Sequence, residues 1–178
     1  MHASALEHLF PSSQDENGYP PMNRPMRVLD VGSGSGYLTH CIAELTGDGG
    51  RVVGIEHIEA LRDLGRANMA RSAEGREMLK NDKVEFVVGD GRKGWKEGEE
   101  SGAAKKWDAI HVGAAAAKIH EELVEQLGKP GRMFVPADDE DGVGQHIWVV
   151  DKDGQGCVTK KKLYAVGYVP LVDPEKRL

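Results

Sequence analysis

The chain is poor in the residues that build disulfide frameworks, and it lacks any long apolar run. Only two of its 178 residues are cysteines, Cys41 and Cys157, and no metal-type spacing joins them. We therefore expect two buried free thiols in a reducing, cytoplasmic compartment. No apolar run approaches the roughly 20 residues that a membrane-spanning helix needs, and the first residues do not resemble a signal peptide. The sequence predicts no membrane partner.

Positive charge is in the minority. The 23 lysines and arginines are outnumbered by 29 acidic residues, which leaves a net charge of −6. A nucleic-acid-binding protein usually carries a basic footprint, so the composition argues against nucleic acid as a partner. Hydrophobic residues make up 39% and charged residues 29%, values typical of an α/β protein of one domain with a proper core.

Three alternating glycines, Gly32, Gly34 and Gly36, follow the first aliphatic run of the chain. Glycines at a strand-to-helix turn let the backbone approach a ligand closely and aim the helix N-terminus at it. Dinucleotide-binding proteins favour the spacing G-x-G-x-x-G. The spacing found here, with Ser33 inside the turn and Asp30 before it, is instead typical of S-adenosylmethionine sites.

Aliphatic segments alternate with helix-length connections after this turn. We predict strands at Arg27–Val31, Arg51–Glu56, Lys83–Val88, Trp107–Val112 and Arg132–Val135, and a closing antiparallel pair at Gln145–Val150 and Leu163–Val169. Helices are expected at Leu38–Leu45, Ile58–Met78 and Ala114–Leu127. The pattern predicts a doubly wound α/β fold with a mostly parallel seven-stranded sheet and a reversed last strand. This is the arrangement of class I S-adenosylmethionine-dependent methyltransferases.

The first 25 residues differ in composition from the rest. Met1–Phe10 carries apolar residues at helical spacing, and residues 11–25 are rich in Pro, Ser, Asn and Gly. We expect an N-terminal helix and a long loop at 1–25, followed by the methyltransferase domain at 26–178, within a single domain overall.

Acidic residues stand at the ends of the second and third predicted strands. Ligands of open α/β sheets bind at the carboxyl ends of strands. Glu56 could accept hydrogen bonds from both ribose hydroxyls of an adenosine, and Asp90 could accept from the adenine amino group beside the Gly91 amide. Taken alone, Gly89-Asp90-Gly91 is equally typical of a simple turn.

The fourth strand end, His111-Val112-Gly113 and the alanines 114–117, offers no amine-binding motif. It argues against methylation of adenine or cytosine amines and suits a compact acceptor, although the alanines could simply begin a helix. The acidic run Asp138–Asp141 is more typical of a solvated loop than of a magnesium site, and the histidines show no paired spacing. We predict no metal and find no catalytic base.

Several segments together resemble one family, the eukaryotic protein-L-isoaspartate (D-aspartate) O-methyltransferases. They are Val28–Thr39, Val53–Ile58, Val87–Arg92, Trp107–Ala116 and Tyr168–Leu171. The resemblance implies methyl transfer from S-adenosylmethionine to the free α-carboxylate of L-isoaspartyl residues in damaged peptides and proteins, by a monomer. It also implies a cofactor site made of Met1, His2, Gly32, Ser33, Gly34, Gly36, Glu56, His57, Asp90 and Gly91.

The chain departs from the family pattern at its start. Of the motif Ile-Ser-Ala-Pro-His-Met-His-Ala, only Met1-His2-Ala3 are present, so the resemblance implies that the active-site Ser lies upstream of Met1. We therefore expect impaired catalysis and assign no catalytic residue. Two alternatives stay open: a non-catalytic S-adenosylmethionine-binding module and a small-molecule O-methyltransferase. The lack of a base is consistent with a carboxylate acceptor, which is already ionised at neutral pH.

Overall fold

In the part of the chain that the structure describes, seven strands form one mixed sheet in the order β3-β2-β1-β4-β5-β6-β7. The computed structural model describes residues 2–11, 24–97, 104–139, 142, 144–168 and 171. The strands are β1 (Arg27–Val31), β2 (Arg51–Glu56), β3 (Val84–Val88), β4 (Trp107–Val112), β5 (Leu127–Asp138), β6 (Gln145–Lys152) and β7 (Val158–Val166). The helices are α1 (His2–Leu9), α2 (Tyr37–Leu45), α3 (Glu59–Met69), α4 (Ala73–Lys80) and α5 (Glu121–Gln126). The predicted fold class, a doubly wound α/β sheet with a reversed strand, is confirmed.

The reversed strand is β6, not the last strand as predicted. β1 to β5 run parallel to one another, β6 is antiparallel to β5, and β7 is antiparallel to β6. β7 therefore runs in the direction of β1. The physical reason is that two short connections follow one another, and each is too short for a crossover helix and reverses the chain.

Two predicted helices differ from the structure. The segment Ile58–Met78 divides into α3 and α4, because Ser72 begins a new helix by accepting a hydrogen bond from the Gly75 amide at 2.8 Å. The predicted helix Ala114–Leu127 is reduced to α5. Its first alanines pair with β5 instead, since the Ala116 amide donates to the Pro136 carbonyl at 2.9 Å.

β5 is longer and β7 lies earlier than predicted. Gly128 and Pro130, expected to end a helix, lie inside β5. β7 ends at Val166, and the predicted last residue of that strand, Val169, lies outside the described residues. β7 forms one edge of the sheet, and most of its side chains are exposed.

α1 packs into the hydrophobic core of the domain. Its residues Ala5 and Leu9 are buried. The Arg132 guanidinium of β5 donates to both carboxylate oxygens of Asp151, at 2.5 and 2.8 Å, and also to the His8 carbonyl at 3.0 Å. This arrangement attaches the end of α1 to β5 and β6. Most of the long loop expected before β1 lies outside the described residues.

The remaining fold-level expectations have mixed outcomes. Both cysteines are free, as predicted, but Cys157 is exposed because it follows the turn that leads into the edge strand, whereas Cys41 is half-buried. Among the described residues, no helix combines the length and apolar character needed to span a membrane.

Candidate functional site

The glycine turn lies at the carboxyl end of β1 and needs glycine at its last position for two reasons. Gly32, Gly34 and Gly36 all have positive φ, at 80°, 49° and 76°. A Cβ on Gly36 would lie 2.6 Å from the Gly65 carbonyl oxygen of α3, so the turn and α3 pack backbone to backbone. The turn is fastened to β2, where the Ile55 carbonyl accepts from the Gly32 and Ser33 amides at 2.8 and 3.2 Å.

The Ser33 hydroxyl is a buried polar atom without a hydrogen-bond partner among the described residues. The residue is only 6% exposed and lines the small cavity beside the turn. A buried hydroxyl that lacks a partner carries a desolvation penalty, so this atom can gain from a ligand with a matching group.

Glu56 folds back against the glycine turn. Its Oε2 accepts from the Gly34 amide at 3.1 Å, and its Oε1 accepts from the His57 and Ile58 amides at 2.8 and 3.2 Å. The side chain is buried, and the His57 Nδ1 lies 2.9 Å from Oε1. A carboxylate oxygen can accept two hydrogen bonds, so Oε2 retains acceptor capacity on the side of the turn.

Asp90 forms an ion pair with Arg92 that the sequence analysis did not predict. Its two oxygens accept from the Arg92 side chain at 2.8 to 3.2 Å, and Oδ1 also accepts from the Arg92 amide at 3.0 Å. Hydrogen bonds from this guanidinium hold the pKa of Asp90 below its ordinary value, against the opposing effect of burial. Gly91 packs tightly here, because a Cβ would overlap Val31. To accept from an adenine amine, Asp90 would have to share or release Arg92.

A cavity of about 170 Å³ opens beside the glycine turn, at the carboxyl ends of β1 and β4. Its walls comprise residues 32–35, Leu38 of α2, Asp30, His111 and Gly113, with His2 and Tyr168 from the two ends of the described chain. Of the predicted site residues, His2, Gly32, Ser33 and Gly34 therefore share one wall. Gly36, Glu56, His57, Asp90 and Gly91 lie outside this cavity, and Met1 lies outside the described residues.

The sequence analysis did not predict the pair of polar side chains, Asp30 and His111, that lines this cavity. Asp30 and His111 are register partners on β1 and β4, and Asp30 Oδ1 lies 2.7 Å from His111 Nδ1. Thr39 of α2 donates to the other Asp30 oxygen at 2.5 Å. The sequence signal was there, since both residues stand near the ends of neighbouring parallel strands, but the pairing depends on register.

The alanine segment after β4 forms a wall rather than a helix. Ala115 and Ala116 are buried, and the Leu171 amide donates to the Ala115 carbonyl at 2.6 Å. Tyr168 is held nearby through its amide, which donates to Gln145 Oε1 at 2.9 Å. Burial raises the pKa of the Tyr168 phenol, so this ring stays neutral at physiological pH.

No group of three metal-ligating side chains occurs in the part of the chain that the structure describes. Asp139 of the acidic run instead pairs with Lys162 and His146, each at 2.9 Å, while Glu140 and Asp141 lie outside the described residues. Two larger grooves, of about 560 and 500 Å³, lie at the opposite end of the sheet around Arg51 and Asp82. No residue of the glycine turn lines either groove.

Comparison with known proteins agrees with this geometry. Residues 1–176 match the family model "Protein-L-isoaspartate(D-aspartate) O-methyltransferase (PCMT)". Protein-L-isoaspartate O-methyltransferase 1 of Arabidopsis thaliana is 44% identical over 182 residues, an alignment that covers 100% of this chain and 69% of that protein. The Caenorhabditis elegans protein-L-isoaspartate O-methyltransferase is 38% identical over 177 residues, covering 99% of this chain and 70% of its own.

One solved structure is similar to this chain over almost its whole length. It is that of a Plasmodium falciparum protein assigned as a protein-L-isoaspartate O-methyltransferase, in complex with S-adenosyl-L-homocysteine. It superposes with a TM-score of 0.76 at 29% identity and covers 97% of this chain and 73% of that one. The glycine turn, the sheet order and the full-length family match lead to one conclusion: the chain belongs to the protein-L-isoaspartate(D-aspartate) O-methyltransferase family.

Proposed function

We propose that the chain transfers a methyl group from S-adenosylmethionine to the α-carboxylate of L-isoaspartyl residues in damaged proteins, the first step of their repair. One observation carries the proposal: the glycine turn, with Glu56 bonded to its Gly34 amide, opens onto a small cavity lined by Ser33 and His111. Family membership supplies the reaction class.

The residues present fit the cofactor. The Ser33 hydroxyl lacks a partner among the described residues, and Glu56 Oε2 has room for a further hydrogen bond beside the turn. The turn approaches so closely to α3 that Gly36 cannot carry a side chain. We infer that Met1, His2, Gly32, Ser33, Gly34, Gly36, Glu56, His57, Asp90 and Gly91 form the cofactor site, with Asp90 shared with Arg92.

The chain's task in the reaction is to orient the reactants. S-adenosylmethionine supplies an electrophilic methyl group on a sulfonium. The acceptor carboxylate has a pKa of about 4 and is already a nucleophile at neutral pH, so no residue needs to remove a proton. Orientation alone can contribute about 7–11 kcal/mol.

We also infer the setting in which the chain works. We propose a cytoplasmic monomer that acts on peptides and proteins and not on nucleic acid, organised as an N-terminal segment 1–25 and a methyltransferase domain 26–178. The two free thiols and the net charge of −6 support this setting.

The direct test is transfer of a labelled methyl group. The purified chain is mixed with methyl-labelled S-adenosylmethionine and an isoaspartyl peptide, with the normal aspartyl isomer as the matched substrate control. We expect a base-labile methyl ester on the isoaspartyl peptide alone. Comparison of the rate with that of a relative tests the expectation of impaired catalysis.

Other results would contradict the proposal. Equal labelling of both isomers, or labelling of free phenols and acids but not of the peptide, would favour a small-molecule O-methyltransferase. Calorimetric binding of S-adenosylhomocysteine with no methyl transfer under any of these conditions would favour the non-catalytic binding module.

A further inference from the structure

His111 and Asp30 form a buried pair at the base of the cavity, and the proposed chemistry does not yet use them. Asp30 is 1% and His111 4% exposed, and Oδ1 and Nδ1 lie 2.7 Å apart. Thr39 Oγ1 donates to Oδ2. Both Asp30 oxygens accept a hydrogen bond from the protein, and the bond to Nδ1 fixes the orientation of the imidazole.

The other ring nitrogen of His111 remains available. Nε2 makes no hydrogen bond to the described residues. The ring also lines the cavity beside the glycine turn and stacks on Phe134, with ring centroids 6.2 Å apart and planes at 17°. The ring is thus held on one side by Asp30 and on one face by Phe134.

The hydrogen bond to Asp30 determines which nitrogen is left for a ligand. A carboxylate only accepts, so Nδ1 is the donor in this bond and Nε2 is the ring nitrogen left for a ligand. An imidazolium that donates Nδ1–H to Asp30 presents Nε2–H to the cavity, where it is a charge-assisted donor suited to an anionic oxygen.

We propose that His111, held in place by Asp30, binds a carboxylate in the cavity through Nε2–H. Two carboxylates could occupy the site: the α-carboxylate of the isoaspartyl acceptor and the carboxylate of the cofactor's methionine part. This inference rests on the proposed function for the identity of these ligands. The binding chemistry is the same for both, and the measurements below separate them.

Two substitutions of His111 separate ligand binding by Nε2 from the structural bond between Nδ1 and Asp30. The amide nitrogen of His111→Asn stands close to the position of Nδ1, so it keeps a donor for Asp30 and loses Nε2. The amide of His111→Gln reaches the position of Nε2, so it keeps a donor for the carboxylate and loses the bond to Asp30. His40→Gln, on the half-exposed outer side of α2 and beside Glu44, is the matched control.

We expect His111→Asn to raise either the KM for the isoaspartyl peptide or the Kd for S-adenosylhomocysteine about tenfold or more, as for a lost bond to a charged group. A raised KM assigns the carboxylate to the acceptor, and a raised Kd assigns it to the cofactor. His111→Gln should lose less, and His40→Gln should match the parent chain. A purely structural role predicts the opposite order, because only His111→Gln breaks the bond to Asp30. That order, equal losses in both variants, or no loss in either would overturn the proposal.

A measurement on the unmodified chain covers the case of a variant that does not fold. With ¹⁵N-labelled histidine, the His111 Nε2 signal should move on adding S-adenosylhomocysteine or, with that ligand present, the isoaspartyl peptide. It should stay in place with methylthioadenosine, which lacks the amino-acid part, or with the peptide whose α-carboxylate is amidated. A response to the ligands without carboxylates, or to none, contradicts the inference.

The failures of the two proposals differ. Methyl transfer without any response of His111 to carboxylate ligands would support the proposed function and contradict the inference about His111. A response of His111 to the carboxylate ligands without methyl transfer would support the inference about His111 and contradict the proposed function.

Discussion

At the residue scale, the site divides into groups that adjacent residues fix and groups that distant residues fix. The glycine turn and the place of Glu56 at the end of β2 could be predicted from local sequence, whereas the bond of Glu56 to the Gly34 amide and the attachment of the turn to Ile55 join different strands. Glu56 is bonded to the amides of His57 and Ile58, its immediate successors. The pairing of Asp30 with His111 could not be predicted in this way, since it depends on the register of β1 against β4.

Replacement of Gly36 should destabilise the chain more than replacement of Gly34. Both residues have positive φ, which costs about 1–2 kcal/mol for a residue with a Cβ. Only at Gly36 would the new Cβ also approach the Gly65 carbonyl, to 2.6 Å, whereas at Gly34 the nearest atom lies 3.9 Å away. Urea unfolding should therefore show the larger loss for Gly36→Ala. Equal losses would show that the backbone contact with α3 is unimportant.

Removal of the Arg92 guanidinium should raise the pKa of Asp90. Hydrogen bonds from Arg92 lower that pKa in the folded chain, so ionised Asp90 stabilises the fold above its unfolded pKa of about 4. This stability is lost as the pH falls through the lowered folded pKa. We expect Arg92→Ala to make the free energy of unfolding depend less steeply on pH below about 4.

Carbon-detected titration of the Asp90 carboxyl provides the direct measurement. Arg62→Ala, which removes a partly buried guanidinium on α3 paired with the exposed Glu59, is the control and should leave the Asp90 titration unchanged. A carboxyl that titrates at the same pH with and without Arg92 would refute the assignment.

At the element scale, aliphatic runs predicted β1, β2 and β4 to the residue, because buried parallel strands are continuously apolar. The same approach failed around α5 and β5. Gly128 and Pro130 are typical helix-ending residues, yet here they lie in the first part of β5. Local composition could not show that Ala116 pairs with β5 instead of beginning a helix.

Attachment of α1 should depend on the buried Arg132–Asp151 pair. Both residues are at most 7% exposed, and Arg132 also donates to the His8 carbonyl. Arg132→Met leaves Asp151 without this partner, and removing one partner of a buried pair typically costs about 3–5 kcal/mol. Urea unfolding should show a loss of this size. Amide exchange of α1 should accelerate.

The matched control is the pair of the partly buried Arg62 and the exposed Glu59, where Arg62→Met should cost about 0–1 kcal/mol. If the two arginine substitutions prove equally mild, the guanidinium of Arg132 does not hold α1 against the sheet.

At the scale of the whole molecule, the sequence predicted seven strands and an antiparallel closing pair, but not the strand that reverses. The direction of the last strand depends on how many short connections follow β5. Because two occur in succession, β7 returns to the direction of β1 and its carboxyl end leads towards Tyr168 at the cavity. A single reversal would have sent the last strand away from the site.

Cofactor binding should stabilise the whole fold. A ligand that binds only the folded chain adds about 2.7 kcal/mol at a hundredfold excess over its Kd. For a chain of this size, that corresponds to a rise in Tm of roughly 5–10 °C. S-adenosylhomocysteine should produce this shift in a thermal melt, and NAD, matched to the other glycine spacing, should not. An equal shift with NAD would contradict the cofactor assignment.

The edge position of β7 has a consequence for the chain in concentrated solution. An exposed strand edge is a template on which a second chain can add its own strand. β7 carries three consecutive lysines, Lys160, Lys161 and Lys162, opposite Val150, Val149 and Trp148 of β6. Two copies that met edge to edge would bring like charges together along the new pair of strands, which disfavours such pairing. The lysines of this edge strand therefore disfavour edge-to-edge association of two copies.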